Sequence, residues 1–159
     1  MAKLEFENLA AFKKMKAKQL PKGDWITVTQ EMINAFALAT LDRQWIHVDA
    51  KKAEKESPFK TTIAHGFMSV AMISSMITDL IRIKSMTMGV NYGLSTVRFP
   101  HPVPVGSRVR LLSSIKEIED YSDAGAKVTW NCEVQIENIS KPACVCEFIA
   151  LVFEGEQKK

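Results

Sequence analysis

Apolar residues near the N-terminus recur at helical spacing. Within residues 4–18, apolar side chains stand three positions apart among lysines, which predicts an amphipathic helix; they are Leu9, Phe12 and Met15. Pro21 and Gly23 are expected to end this helix, because neither residue continues a helix readily. Residues 1–23 are therefore predicted to form a helical extension of a single domain that covers residues 1–159.

The next segment predicts a short strand and a second amphipathic helix. Residues 25–28 are strand-like, and a helix begins where Thr27 or Thr29 can cap it. Its apolar face follows the i, i+3, i+4, i+7 pattern at Ile33, Phe36, Ala37 and Thr40. This helix is predicted to end near Leu41, and residues 42–48 are predicted to form a turn or loop.

A longer helix-forming stretch has no polar face. Asp49 first caps a short helix through Glu56, which Pro58 interrupts. A helix is then predicted from Gly66 to about Ile83, with apolar residues nearly all round it: Phe67, Met68, Val70, Ala71, Met72, Ile73, Met76, Ile77, Leu80 and Ile81. A helix of this kind is buried on most sides, so the rest of the chain is expected to wrap it.

From Met86 onward the pattern changes to the two-residue period of strands. Strands are predicted over residues 107–119, 127–137 and 144–153, with turns at 121–125 and 137–142. The second strand alternates most clearly, with one face formed by Val128, Trp130, Cys132, Val134 and Ile136. Helices followed by antiparallel strands predict an α+β fold, in which a curved sheet surrounds the central helix.

Composition narrows the functional classes. The chain has 159 residues, a net charge of +3 and scattered lysines, without the basic run interleaved with aromatics that indicates a nucleic-acid partner. The N-terminus has no apolar signal region, and the most apolar stretch, residues 67–81, is interrupted by polar residues and shorter than the ~20 residues that cross a bilayer. We therefore predict a soluble cytoplasmic protein with no nucleic-acid or membrane partner. The modest positive charge suits a phosphate-bearing molecule such as coenzyme A.

The three cysteines do not indicate a disulfide framework. Their number is odd, and no secretion signal precedes them. Cys144 and Cys146 lie two apart in a predicted strand and share a face with each other. We interpret Cys132, Cys144 and Cys146 as small buried apolar residues.

Two segments carry residues suited to chemistry. Asp42 and His47 stand five apart in the predicted loop, where a carboxylate and an imidazole could hold one water and exchange protons with it. The alternative is that Asp42 caps a turn and that His47 is a partly exposed loop residue. His65 and Gly66 open the buried helix, where unpaired backbone N–H groups could stabilise an oxyanion. Alternatively, His65 packs the helix start and Gly66 relieves crowding there.

The remaining candidates have weaker patterns. His101 lies among three prolines that hold the chain extended, which favours a structural role. Asp42, His47 and Asp49 could supply metal ligands, but the Cys-rich and Gly-rich metal signatures are absent, so no metal site is predicted.

Taken in order, these segments resemble the MaoC-like dehydratases, or R-specific enoyl-CoA hydratases. The resemblance rests first on residues 36–49, which read FALATLDRQWIHVD, and on residues 62–67, which read TIAHGF. Residues 88–100, 102–108 and 141–146 are similar to the nodulation-protein-N branch of that family. The likeness covers roughly residues 24–153.

The resemblance implies a hot-dog fold and a homodimer with sites near the subunit interface. It implies R-specific hydration of a trans-2-enoyl thioester of coenzyme A or an acyl carrier, or the reverse dehydration, with no metal or redox cofactor. Asp42 and His47 match the catalytic pair of the family. The implied substrate-binding residues are Gln44, His65, Gly66, Phe67, Asn91 and Arg98.

Parts of that assignment stay open at this point. Gln44 stands where many members have Asn, and Trp45 where many have Pro, a variant that this branch commonly shows. The matches of Asn91 and Arg98 carry no firm role, and the sequence does not say whether Asp42 or His47 is the base. A hot-dog acyl-thioesterase and a non-catalytic acyl-thioester-binding subunit are the alternative functions.

Overall fold

Five strands form one antiparallel sheet, and a long helix packs against it. The computed structural model describes residues 3–15 and 19–155. The elements are β1 (Leu4–Phe6), α1 (Leu9–Lys13), β2 (Ile26–Thr27), α2 (Gln30–Thr40), α3 (Trp45–Val48), α4 (Ala50–Glu56), α5 (Gly66–Leu80), β3 (Ile81–Ile83), β4 (Met86–Arg98), β5 (Arg108–Ser122), β6 (Gly125–Ile136) and β7 (Ile139–Glu154). The sheet order is β2-β5-β6-β7-β4, and every neighbouring pair in it is antiparallel.

The core lies between α5 and the sheet. Helix α5 contacts β5, β6 and β7, and its Ile73 and Leu80 side chains are completely buried. Burial of a side chain of this size contributes about 1.5–3 kcal/mol relative to leaving it exposed. The sheet supplies the opposite wall of the core through alternate residues of β6, which confirms the predicted face: Val128, Trp130, Cys132, Val134 and Ile136. The predicted α+β layout is therefore correct.

One face of α5 is less covered than the sequence predicts. Phe67 is 66% exposed, and Ala71, Ser75, Thr78 and Asp79 are exposed on the same helix. The sheet covers α5 from one side, and within a single chain no other element shields this outer face in the part that the structure describes. The face is therefore available for a partner.

The predicted N-terminal helix over residues 4–18 is wrong in extent. Residues Leu4–Phe6 form β1, and α1 covers only Leu9–Lys13, with the Asn8 side chain accepting a hydrogen bond from the Ala11 amide at 2.8 Å. Residues 16–18 lie outside the described residues. The physical reason is a tertiary one, because β1 pairs in parallel with β3.

The same pairing ends α5 earlier than predicted. The helix stops at Leu80, and residues Ile81–Ile83 form β3 with Ile81 and Ile83 buried and Arg82 exposed. That alternation has the two-residue period of a strand. Three residues are too few to distinguish this period from the helical pattern that precedes them.

Smaller differences concern turns and caps. Thr29 caps α2, with its Oγ1 accepting from the Met32 amide at 3.3 Å, so Thr27 does not. Part of the predicted loop at 42–48 is helical, because the Asp49 amide donates to the Trp45 carbonyl at 2.9 Å and closes α3. The turn predicted at 137–142 is shorter, since β7 begins at Ile139 after Asn138, whose φ is 60°.

The predicted burial of the cysteines is confirmed. Cys132, Cys144 and Cys146 are all buried with free thiols. Across residues 3–15 and 19–155, no helix has the length and apolar character needed to cross a membrane.

Leu41 ends α2 in the left-handed conformation, with φ 63°. We expect Leu41→Gly to stabilise the fold by about 1 kcal/mol, because the left-handed region strains a residue that carries a Cβ. Leu38 provides the matched control, since it is also exposed but lies inside α2. Leu38→Gly should destabilise by about 1 kcal/mol. Urea unfolding of both variants checks the opposite signs, and a loss of stability in Leu41→Gly would contradict the interpretation.

Candidate active site

The end of α2 and the short helix α3 bring a carboxylate and an imidazole together. The left-handed turn at Leu41 changes the chain direction, and Asp42 follows it with a side chain that is 59% exposed. His47 lies in α3 and is only 8% exposed. Potential ligand atoms of Asp42, His47 and His65 all lie within 4.8 Å of one another. The predicted convergence of Asp42 and His47 is therefore present in the structure.

A backbone hydrogen bond orients the His47 ring. Its Nδ1 lies 2.7 Å from the carbonyl oxygen of Ile63. A carbonyl only accepts, so Nδ1 carries the proton and Nε2 keeps a free lone pair. Burial is the largest cause that holds the pKa of His47 below its usual value, although the Ile63 carbonyl acts in the opposite direction. The lowered pKa favours the neutral ring at neutral pH, so His47 can accept a proton at Nε2.

His65 contacts both of these residues. Its Nε2 donates to the backbone carbonyl of Asp42 at 2.9 Å and lies 3.9 Å from the Asp42 carboxylate Oδ2. Its ring stacks on the His47 ring, with centroids 3.7 Å apart and planes at 25°. The sequence places His65 at the start of α5, but only the tertiary structure puts it behind the pair.

A cavity of about 270 Å³ opens beside His47. Its walls come from the start of α5 and from the segments before and after it: Ile63, Ala64, Gly66, Ser69, Phe99, His101, Pro102, Val103 and Ala143. His101, which the sequence assigns a structural role, therefore lines this cavity, although its Nδ1 also donates to the Pro102 carbonyl at 2.6 Å. The cavity is large enough for the reacting end of a small organic substrate.

Gly66 supplies a free donor at this cavity. Within the described ranges its amide has no backbone acceptor, as expected for the first residue of a helix. A Cβ at this position would lie 3.0 Å from the Phe99 ring, so only glycine fits without moving that wall. The amide and the partial positive charge at the start of α5 can therefore stabilise an oxyanion.

The other predicted binding residues, which are Gln44, Phe67, Asn91 and Arg98, do not line the His47 cavity. Gln44 immediately precedes α3 without a side-chain capping hydrogen bond, and its backbone N–H donates to Asp42 Oδ1 at 3.4 Å. Phe67 is exposed and packs edge-on against Phe99, outside the cavity walls. Asn91 lines a different cavity, and Arg98 lies exposed at the end of β4, so one chain does not bring either residue to the His47 cavity.

The second cavity has a volume of about 480 Å³ and lies along the later half of α5. Mostly apolar residues of α5, β3, β4, β6 and β7 line it, among them Ile77, Ile81, Val90, Trp130 and Phe148. It lies beyond Ser69 on the same helix that Gly66 begins. An apolar cavity there can hold hydrocarbon.

Gln30 and Thr62 support the site but give no signal in the sequence. Gln30 Nε2 donates to the His47 carbonyl at 2.8 Å, and Thr62 Oγ1 donates to Gln30 Oε1 at 2.5 Å. These bonds connect α3 to the segment that carries the Ile63 carbonyl. Glutamine in a first helical turn and threonine in a connection are both common, so no local pattern distinguishes them.

The geometry of the two histidines is unfavourable for a shared metal ion. One nitrogen of each ring already donates to a carbonyl, of Ile63 for His47 and of Asp42 for His65. Imidazole binds zinc in the ring plane at about 2.0–2.1 Å. Rings stacked 3.7 Å apart with nearly parallel planes do not direct both free lone pairs at one such position.

Two relatives share more than two fifths of their aligned residues with this chain. A 3-hydroxyacyl-thioester dehydratase Z of Mycobacterium tuberculosis is 45% identical over 144 residues, covering 91% of this chain and 95% of the relative. Nodulation protein N of Rhizobium leguminosarum bv. viciae is 42% identical over 136 residues, covering 85% and 84%.

The fold has solved counterparts. The unliganded R-hydratase PhaJ1 of Pseudomonas aeruginosa superposes with a TM-score of 0.72 at 22% identity, covering 94% of this chain and 88% of that one. This likeness shows that the curved sheet and central helix form a hot-dog fold, as predicted. The family model described as "MaoC like domain" matches residues 12–137. On the strength of that match and of the close relatives, the chain belongs to the MaoC-like domain family.

Proposed function

We propose that this protein interconverts a trans-2-enoyl thioester and its R-3-hydroxyacyl thioester by adding or removing water. The observation that carries this proposal is that a buried, neutral His47 lies close to the exposed Asp42 and borders a cavity that Gly66, the first residue of α5, also lines. A 3-hydroxyacyl-thioester dehydratase is among the relatives that share 45% of their residues with the chain. Family membership and site geometry therefore support the same reaction class.

The start of α5 polarises the substrate. The thioester carbonyl oxygen accepts a hydrogen bond from the Gly66 amide, which draws electron density from the conjugated double bond and makes C3 electrophilic. As oxygen adds to C3, negative charge accumulates on the carbonyl oxygen, where the amide and the helix dipole stabilise it best. The enolate-like intermediate is thus favoured relative to the bound enoyl group.

His47 and Asp42 divide the proton transfers. His47 Nε2 removes a proton from the water while its oxygen bonds to C3, because its orientation and lowered pKa leave that nitrogen unprotonated. Asp42 accepts the other water hydrogen as a hydrogen bond and then passes the proton that His47 removed on to C2, so that both groups return to their starting states. Gln44 limits the rotation of the Asp42 carboxylate through its amide. The sequence leaves the identity of the base open, and burial of the imidazole favours His47.

This mechanism needs neither a metal nor a redox cofactor. Hydration moves a proton and a hydroxyl group without net oxidation, and the thioester itself supplies the electron-withdrawing group. The apolar cavity of about 480 Å³ along α5 suits the acyl chain. The carrier in this proposal is coenzyme A or an acyl carrier, both of which present the same thioester chemistry.

The proposal includes a homodimer joined at the edge strand β4. This strand pairs with β7 on one side, and its other side has no neighbour among the described strands. It is long, and its apolar residues are exposed: Met86, Met88, Val90, Tyr92 and Leu94. An exposed apolar edge of this length readily pairs with another strand, and a two-fold axis would pair it with itself. The exposed Phe67 would then lie near the covered region.

The catalytic pair is tested by two nearly isosteric changes. Asp42→Asn and His47→Gln should each lower the rate of enoyl-thioester hydration by about 10²–10⁴-fold, because each removes one acid–base group. Loss of the enoyl-thioester absorbance, followed with crotonyl-CoA and longer enoyl-CoAs, measures the rate. Circular dichroism should show unchanged folding. Near-normal turnover in both variants would mean that the site is elsewhere.

The stereochemical course tests the function itself. Asp42 and His47 lie close together, His47 borders the cavity, and in the proposal Gly66 fixes the carbonyl. Water and proton should therefore reach one face of the enoyl group and give the R product. Chiral chromatography of the hydrolysed product should show the R acid, and a coupled S-specific 3-hydroxyacyl-CoA dehydrogenase should detect nothing. Predominant S product would disprove the proposed geometry. Release of free CoA without a hydroxyacyl product would instead indicate a thioesterase.

The oligomeric state tests the role of β4. Light scattering at micromolar concentration should give a mass near twice 17.8 kDa. Leu94→Lys should weaken the dimer by about tenfold or more, because like charges would meet across the two-fold axis. Leu38→Lys is the control, since it alters a leucine on α2 that is more exposed than Leu94 and should leave the mass unchanged. A monomeric wild type with full activity would contradict the dimer.

A further inference from the structure

His65 contacts both members of the acid–base pair without reaching the cavity. It donates to the Asp42 carbonyl and stacks on the His47 ring, yet it is only 4% exposed and does not line the cavity that His47 borders. Substrate in that cavity would therefore touch His47 but not His65. Any contribution of His65 to the reaction is made through its neighbours.

The chemistry of the His65 ring argues against a role in packing alone. With Nε2 donating to Asp42, the proton is on Nε2, and Nδ1 is buried with no hydrogen-bond partner among the described residues. An unpaired buried polar atom destabilises a fold, and an apolar ring of the same shape would avoid that loss. What imidazole offers in return at this position is its Nε2 donor.

That donor is the shortest hydrogen bond that holds residue 42. The Asp42 amide lies 3.5 Å from Thr40 Oγ1, and Asp42 Oδ1 lies 3.4 Å from the Gln44 amide, whereas His65 binds the Asp42 carbonyl at 2.9 Å. Residue 42 follows the left-handed turn at Leu41 and is otherwise exposed. Its backbone position thus depends on His65.

His65 also restricts the orientation of the His47 ring. The Ile63 carbonyl fixes one atom of that ring, and the stacked His65 ring restricts tilting about the resulting hydrogen bond. Phe36 packs against His65 in turn, with ring centroids 5.1 Å apart. Phe36 therefore supports the His65 ring, which itself contacts Asp42 and His47.

We propose that His65 is a positioning residue that fixes the relative placement of Asp42 and His47, an inference that rests on the proposed hydratase function. A displacement of about 1 Å in a reacting group can cost about 10²-fold in rate, so such positioning has a measurable effect. His65 also contributes to the pKa of His47: burial is the largest cause of the lowering, and the charge that His65 carries when both of its nitrogens are protonated acts in the same direction.

Two substitutions separate the donor from the stacked ring. His65→Phe keeps an aromatic ring against His47 but loses the donor to Asp42. His65→Gln keeps an N–H donor at the position of Nε2 but loses the ring. We expect His65→Phe to lower kcat by about 10²-fold and His65→Gln to lower it by about tenfold. KM should change less than about threefold in both variants, because residue 65 does not touch the substrate.

The pH profile distinguishes positioning from a merely structural role. Asp42 and His65 are the titratable groups that contribute to the pKa of His47 in the structure. Both variants remove the imidazole, so the pKa of His47 should rise and the acid limb of the kcat/KM profile should move to higher pH. A purely structural residue would leave that limb in place and would change only the fraction of folded protein.

The control is a buried change outside both cavities. Ile115→Val removes one methyl group from β5 and should leave kcat and the acid limb unchanged per folded molecule. If the wild type hydrates enoyl thioesters and both His65 variants retain its kcat and its acid limb, the inference is wrong. If the wild type hydrates none of the enoyl thioesters tested, the proposed function is wrong, and the inference is overturned with it.

Discussion

The packing of α5 against the sheet is the contact on which the rest of the structure depends. It buries Ile73 and Leu80 in the core and so fixes where the helix begins. Gly66 then lines a cavity that the Phe99 segment also borders. The same packing leaves the outer face of α5 uncovered, and β4, which pairs only with β7 among the described strands, forms an edge of the sheet. Core formation, the proposed oxyanion site and the proposed dimer contact thus all depend on one helix that is buried on one side only.

Asp42 and His47, the pair beside that helix, lie in different environments. His47 is buried and held by the Ile63 carbonyl, whereas Asp42 is exposed on a turn. Burial disfavours the charged form of the imidazole and lowers the pKa of His47, which fits its proposed role as the base. If both groups were equally buried, burial would not favour His47 over Asp42 as the proposed base. The position of α3 under the Gln30 and Thr62 side chains produces this difference.

Local patterns of apolar residues predict the long elements of the fold correctly. The alternation through β6 and the apolar periodicity of α5 extend over many residues, so their periods are unambiguous. Short elements were missed. The strands β1 and β3 are three residues each, and they form because each pairs with the other across a long separation in sequence. The resemblance to the MaoC-like dehydratases supplied the hot-dog fold and the Asp42–His47 pair, which an Asp-x4-His spacing alone does not establish.

The sequence by itself determined the α+β class, the buried central helix, the core face of β6 and, through its ordered motifs, the family. Only the tertiary structure decided that His65 lies behind the pair instead of beside the substrate, that His101 lines the cavity, and that Asn91 and Arg98 do not reach it within one chain. The reason is physical. Periodicity records which face of an element is buried, but hydrogen bonds such as those of Gln30 and His65 join residues 17 to 23 positions apart, and their partners are set by how whole elements pack.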